Sequence, residues 1–365
     1  VRRLLTFFGV LVLLVVLVLA GGAVWVRSEV RASLPRLDGE LKLAGLSAAV
    51  TVERDALGVP TIRAASRADA ARALGFLHAQ DRFFQMDLLR RSAAGELSAL
   101  FGGLAVNADK ANRVHRFRHV AGLVLARATP EERAVFTAYA EGVNAGLAAL
   151  GAKPWEYLAL RTDPAPWVPE DTVLAVHAMF LDLQGGDGDH ESDLGVLHDL
   201  LPPPVAALLG ADGTEWDAPV AGAPRTAPPI PGPEVFDLRK EPPVELPKAA
   251  SLEPPADRDV LGSNNWAVSG AHTADGRALL ANDMHLGIRI PNTWYRASIV
   301  RPDGAGGEIR VTGVSLPGTP AIAVGSNGHV AWGFTNSYGD WSDLIVLEVD
   351  PRNPDVYRTP EGPRR

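Results

Sequence analysis

The chain has 365 residues, of which 47% are hydrophobic, and a formal net charge of −8. That is enough apolar material for one large or two ordinary domains, and the mixed Lys, Arg, Asp and Glu leave no basic block to track phosphates, which excludes nucleic acid as a partner. No cysteine is present, so a disulfide framework, a thiolate metal site and a cysteine nucleophile are excluded too.

Arg2 and Arg3 precede an apolar run from Leu4 to Val26, after which Arg27, Glu29 and Arg31 restore polarity. A positive flank followed by such a run marks an export signal or a membrane anchor. The run is long for a signal segment and reaches the roughly 20 residues a helix needs to span a bilayer. The small residues from Ala20 to Ala23 offer a signal peptidase its site. Residues 1–27 are read as a signal peptide or membrane anchor, and the protein as exported, periplasmic or membrane-attached.

Residues 28–200 read as a mostly helical region that begins with a short connector over 28–50. Ala49 to Val52 and Thr61 to Ala64 are expected strands around a turn at Asp55-Ala56-Leu57-Gly58. From Asp69 to about Phe101 the apolar residues Leu74, Leu77, Phe84, Leu88 and Leu89 recur at helical spacing. Further helices are expected from Pro130 to Leu150, where Glu131 and Glu132 suit the first turn, and from Glu170 to Leu183.

Of the 29 prolines, 14 lie between Leu201 and Val260, too many for a packed core. Residues 201–262 read as a spacer, either extended or a structured proline-rich loop. From 263 to 365 the pattern is β: Asn265 to Val268, Ala278 to Ala281, Ser298 to Val300, Ile309 to Val311, Ala321 to Val324 and Val330 to Trp332. Gly, Asp and Asn turns separate these runs, and the spacing predicts a sheet of at least five strands. The polar stretch from Tyr357 to Arg365 predicts no sheet-closing element.

Zinc-peptidase, phosphate-loop, dinucleotide and nucleophile-elbow motifs are absent from the sequence. What remains is Leu261-Gly262-Ser263-Asn264-Asn265-Trp266. Taken alone, Gly-Ser-Asn-Asn is a turn. Its place between a proline-rich segment and a first strand makes it a bond that can be cut without dismantling either neighbour. Cutting before Ser263 gives that serine a free α-amine with a reference pKa of about 7.7–8.0. One residue then supplies both nucleophile and base, with no separate Ser-His-Asp set.

At these residues the sequence resembles the penicillin acylase family of N-terminal nucleophile hydrolases. Arg54 to Ile62 is similar to the family's opening strand and turn. The run Gly75-Phe76-Leu77-His78-Ala79-Gln80-Asp81-Arg82-Phe83-Phe84-Gln85-Met86-Asp87, continuing to Gly95-Glu96-Leu97, resembles its most recognisable helix. Gly262 to Trp266 resembles the processing site, Leu280 to Leu286 the following strand and loop, and Leu316 to Asn336 the pair of strands beside the nucleophile.

The resemblance implies an α+β fold of four layers, αββα, left incomplete early in the second subunit. It also implies autocatalytic cleavage between Gly262 and Ser263 into α and β subunits, and hydrolysis of a small acyl-amide substrate. Ser263 maps onto the nucleophile, and the backbone N–H of Asn336 onto the oxyanion hole. His285 falls where the family carries Gln or His beside the nucleophile, and is equally readable as a structural loop histidine. The acyl pocket would take part of its lining from Met179 to Gly185.

A structural Ca2+ is implied as well, on Glu191, Asp340, the carbonyl of Ser342, and Asp343, within the acidic runs Asp187-Asp189-Glu191-Asp193 and Asp340-Ser342-Asp343. Without the resemblance, both runs read as solvated loops. The family's second subunit extends well past Arg365 and carries there an oxyanion-hole asparagine and an arginine, so an isolated chain of this length is expected to be poorly stable and weakly active. Two other readings stand beside the acylase precursor: a non-catalytic envelope binding protein, and an inactive fragment.

Overall fold

The computed structural model describes residues 2–183, 188–211, 213, 219, 221–223, 226–237, 239–240, 262–336 and 343–364. The chain divides into two units, residues 1–183 with 261–336 and residues 184–260 with 337–365. Each is described by itself.

The first unit begins with α1 (Arg2–Ala32), a helix of 31 residues with no buried side chain. Among the described residues it is the one helix long and apolar enough to cross a bilayer. It extends past the apolar run into the expected connector, because no Gly or Pro interrupts Arg27 to Ala32. The Ala152 N–H donates to the Ala32 carbonyl at 3.2 Å and so satisfies one group at the helix end.

A hairpin follows, of β1 (Thr51–Arg54) and β2 (Pro60–Arg63). The Asp55 carboxylate organises its turn by accepting from the N–H groups of Leu57 at 2.8 Å and Val59 at 2.9 Å. The long expected helix is α2 (Arg67–Ala94), which starts on the Ser66 side chain and stops at Gly95 rather than Phe101. Gly95 has φ +66, and a Cβ there would meet the Asp109 carbonyl at 2.6 Å, so only glycine fits. The buried Asp109 carboxylate then accepts from the Leu97 and Ser98 N–H groups at the start of α3 (Ser98–Phe101). The helical series continues through α4 (Val106–Arg113), α5 (Phe117–Arg127), α6 (Pro130–Ala148), α7 (Trp155–Leu160) and α8 (Pro169–Leu183).

Helices α2 and α6 pack at backbone contact. A Cβ on Gly142 would lie 2.0 Å from the Arg72 carbonyl oxygen, and one on Gly75 would lie 2.4 Å from that of Tyr139. Around this seam Leu74, Phe83, Met86, Tyr139, Val143 and Tyr157 form the main core. A second cluster joins Ala93, Ala121, Leu125, Val173 and Leu174. Between the two, Arg90 is buried and donates to Asp87 at 2.7 Å, Asp171 at 2.6 Å, and the carbonyls of Ala165 and Pro166.

The β region comprises β3 (Gly262–Val268), β4 (Leu279–His285), β5 (Tyr295–Pro302), β6 (Glu308–Ser315), β7 (Ile322–Ser326) and β8 (Ala331–Trp332). A six-stranded sheet has the order β1-β2-β5-β6-β7-β8, with β2 and β5 parallel and the other pairs antiparallel. The sheet of at least five strands thus exists, but with different members. The N-terminal hairpin joins it, while among the described residues β3 and β4 pair with each other as a two-stranded ribbon.

In the second unit, α9 (Asp189–Leu200) covers Glu191 and Asp193, which without the resemblance read as part of a solvated loop. The short helix α10 (Pro203–Leu209) lies in the proline-rich spacer; its prolines occupy the first turn, where a missing N–H costs nothing. The strands β9 (Val349–Asp350), β10 (Asn353–Thr359) and β11 (Gly362–Arg364) form a three-stranded antiparallel sheet. The polar stretch at the C-terminal end is therefore a hairpin and not an irregular tail. Gly362 at φ +112 and the Thr359 hydroxyl, which donates to the Gly362 carbonyl at 2.7 Å, close its turn.

Candidate active site

Ser263 is the second residue of β3 and half-buried. The ladder is antiparallel and without a bulge: Gly262 pairs with His285, Ser263 with Met284, Asn264 with Asp283, and Asn265 with Asn282. Side chains alternate faces along a strand, so Ser263 and Met284 share one face and His285 and Asp283 share the other. The contact of His285 Nε2 with Asp283 Oδ2 at 2.9 Å agrees with that alternation. The ring is exposed to solvent, on the face opposite Ser263.

One residue to which the sequence assigns no role holds this region together. Asn282 Nδ2 donates to the Asn264 carbonyl at 2.9 Å and to the Phe334 carbonyl at 2.9 Å, while its Oδ1 accepts from the Phe334 N–H at 3.2 Å. The side chain thereby clamps the segment after β8 onto the ribbon. Gly333 permits the approach, since a Cβ there would come within 2.8 Å of the Asn282 Cβ. The signal available in the sequence was a short amide side chain inside a strand, where β-branched and aromatic residues are usual.

Asn336 lies two residues beyond the clamped Phe334, and its Nδ2 donates to the carbonyl of Leu183, the last residue of α8, at 2.8 Å. The side chain is thus occupied in positioning. Of the expected acyl-pocket residues, Met179 is buried and Phe180 packs edge-on against Phe117 with ring centroids 5.9 Å apart; Gly185 lies outside the described residues. Beneath the sheet, His78 is fully buried. Its Nδ1 meets the Tyr139 hydroxyl at 2.7 Å, and its Nε2 meets the Ser315 hydroxyl at 3.0 Å. Burial, with the charge of Arg82 adding to it, pushes the His78 pKa down to about 3, so the ring is neutral.

The expected calcium ligands fall in the second unit. Glu191 is half-buried on α9 and Asp343 is exposed, while Asp340 and Ser342 lie outside the described residues, as does Asp187. Among the described residues no three metal-ligating side chains converge, so Glu191 and Asp343 do not by themselves make a calcium site.

Ser263 thus stands near the start of a strand, on a ribbon that the Asn282 amide ties to the segment after β8. The chain belongs to the penicillin amidase family, whose model matches residues 49–365. It is 35% identical over 326 residues to the penicillin acylase 2 proenzyme of Pseudomonas sp. strain SE83, covering 88% of this chain and 40% of that one. It is 30% identical over 352 residues to the acyl-homoserine lactone acylase QuiP of Pseudomonas aeruginosa, covering 94% and 40%. A solved thermostable penicillin G acylase from Alcaligenes faecalis aligns with 48% of this chain and 98% of its own, at 28% identity and TM-score 0.41. The chain spans about two fifths of the length of the curated relatives it matches. It is a mixed α/β member of a family of amide hydrolases, with an exposed apolar N-terminal helix of the kind found in signal sequences and anchors.

Proposed function

We propose that this chain carries the nucleophile region of an exported acylase that is cleaved before Ser263 and hydrolyses an amide between an acyl group and an amine. The observation that carries this reading is the placement of Ser263 at the start of β3, on a ribbon clamped through Asn282 to the segment ending at Asn336. After the cut, the Ser263 α-amine would take the hydroxyl proton as the oxygen attacks the amide carbon, and the Asn336 N–H would receive charge on the carbonyl oxygen. The relatives named as acyl-homoserine lactone acylase and penicillin acylase support an acyl group and an amine-bearing leaving group as the substrate class.

Within this reading the boundaries are residues 1–27 for the signal or anchor, 28–200 for the helical subunit, 201–262 for the spacer, and 263 onward for the second subunit. The complete fold is the four-layer αββα arrangement. The same reading places structural calcium on Glu191, Asp340, the Ser342 carbonyl and Asp343; metal analysis of the native protein, with and without chelation, tests it. The deciding experiment is intact mass and N-terminal sequencing of the protein from its native source. A chain beginning at Ser263 supports the reading, and its absence from processed and active protein overturns it.

A further inference from the structure

Helix α4 and the turn before it carry apolar side chains that the fold leaves wet. Leu104, on the 3-10 turn Gly102–Ala105, is 95% exposed, and Val114, which caps α4, is 74% exposed. Gly102, at φ +60, makes the bend that leads to Leu104. A Cβ on Gly102 or Gly103 would meet nothing within 4 Å, so this tip stands clear of the body. Val106, Lys110 and Val114 recur at helical spacing and share the outer face of α4. The inner face is held by Asp109, which accepts from the Leu97 and Ser98 N–H groups, and by Asn112, whose Nδ2 donates to the Ser92 carbonyl at 2.8 Å.

Charge on that outer face has one sign. From Leu104 to Arg116 the only acid is the buried Asp109, and Glu96, the acid before it, pairs with Arg118 at 2.6 Å. Lys110 and Arg116 are exposed and have no carboxylate partner among the described residues. A chain of net charge −8 thus presents here a face that is both apolar and cationic. That combination suits the boundary between anionic headgroups and acyl chains, where apolar side chains enter and basic ones stay with the phosphates.

Helix α1 brings a bilayer to this face. Ser33 to Pro35, which follow directly from α1, border Gln85 of α2. Ser92, to which α4 is tied, lies two turns beyond Gln85 on the same stripe of α2, roughly 10 Å along its axis. We propose that α4 and its tip rest on an anionic bilayer beside α1, with Leu104 and Val114 dipped below the headgroups and Lys110 and Arg116 on lipid phosphates. This second contact holds the first unit against the membrane instead of leaving it to swing from one helix. The inference rests on α1 staying in the membrane, the anchor half of the reading above, and is independent of the cut before Ser263.

The chain has no cysteine, so Leu104→Cys takes a single environment-sensitive NBD label at a position the fold does not bury. The labelled full chain is placed in nanodiscs of phosphatidylcholine, with and without phosphatidylglycerol. With phosphatidylglycerol the emission is expected to brighten several-fold, to be quenched by nitroxide lipid, and to be shielded from aqueous iodide. Lys110→Glu together with Arg116→Glu should return it to the level seen in phosphatidylcholine alone. Equal brightness in the two kinds of disc, or no response to those two substitutions, overturns the selection for anionic lipid. A chain retained in the discs whose label stays open to iodide overturns this inference alone, and leaves the face to a partner protein. A chain that separates from the discs on sizing overturns the anchor reading and this inference with it.

Discussion

Arg90 is the residue whose loss should cost the first unit most. Burial works against its charge, but Asp171 and Asp87 outweigh burial and raise its pKa. Its guanidinium meets two carboxylates that are 0% and 2% exposed, two backbone carbonyls, and the face of Trp167 at 5.0 Å. In Arg90→Met the apolar stem survives and all four hydrogen bonds go. Asp87 keeps Arg91 at 2.9 Å and the Tyr157 hydroxyl at 2.7 Å; Asp171 keeps the Val168 N–H at 2.9 Å and Arg118 at 3.3 Å. Those residual partners soften the stranded-charge penalty, so the expected loss lies near the lower end of what a broken buried pair costs, about 3 kcal/mol. Arg90→Lys should recover only a minor part, because a point charge cannot reach acceptors arranged around a planar fork. Urea unfolding followed by tryptophan fluorescence reads the change. A loss below about 1 kcal/mol for Arg90→Met would mean that the network is not a source of stability, and would refute the reasoning.

Four further outcomes follow from the same geometry. Gly142→Ala forces a methyl into the Arg72 carbonyl, so the α2–α6 seam must open, at a cost of about 1–3 kcal/mol; an unchanged denaturation midpoint would sink the close-packing account. Because the folded His78 pKa is about 3 against 6.5 unfolded, the unfolded chain takes the proton first. Stability is complete above pH 6.5 and falls on acidification towards pH 3, with a slope of up to about 1.4 kcal/mol per pH unit that His78→Gln should abolish. Asn282→Ala should shift global stability by only about 1 kcal/mol, its bonds being exposed, yet markedly slow the cut before Ser263; equal cutting rates count against the clamp. His285→Asn should leave the pH profile of turnover in place, following an amine near 7.7–8.0 rather than an imidazole near 6.5, and a profile that moves would return the histidine to the chemistry.

What the sequence makes legible is local. The helices α2, α6 and α8 announce themselves through apolar spacing and, for α6, through Pro130, Glu131 and Glu132 in its first turn, whereas the Ser66 and Thr129 caps emerge only in the structure. The β1–β2 hairpin is legible through Asp55 and Gly58. The end of α2 at Gly95 could have been read as a stop, but the apolar residues after it continue the helical rhythm into α3. Long-range relations left no local trace. Nothing about Thr61 to Arg63 states that it will lie parallel to Ser298 to Val300, and nothing about Gly142 states that Arg72 will press against it. For the site, Ser263 and the strands around it are legible as residue types and order. The face on which His285 stands is not, because it depends on a register that a one-residue slip would reverse.

That register and the larger sheet together bear on why a cut before Ser263 need not dismantle the fold. Covalently, it separates β1 and β2 from β5 to β8, yet these strands share one sheet through the β2–β5 pairing. The two sides are also joined by buried contacts: the Tyr139 hydroxyl accepts from the Gly318 N–H at 2.9 Å, His78 meets Ser315, and Tyr295 donates to Asp81. Buried hydrogen bonds of this kind resist separation because each broken one strands a group away from water, at about 1–3 kcal/mol apiece. The β3–β4 ribbon, by contrast, is mostly exposed and held to its surroundings through Asn282. On the proposed reading, the bond before Ser263 lies on this exposed ribbon, while the contacts that join the two sides lie in the core.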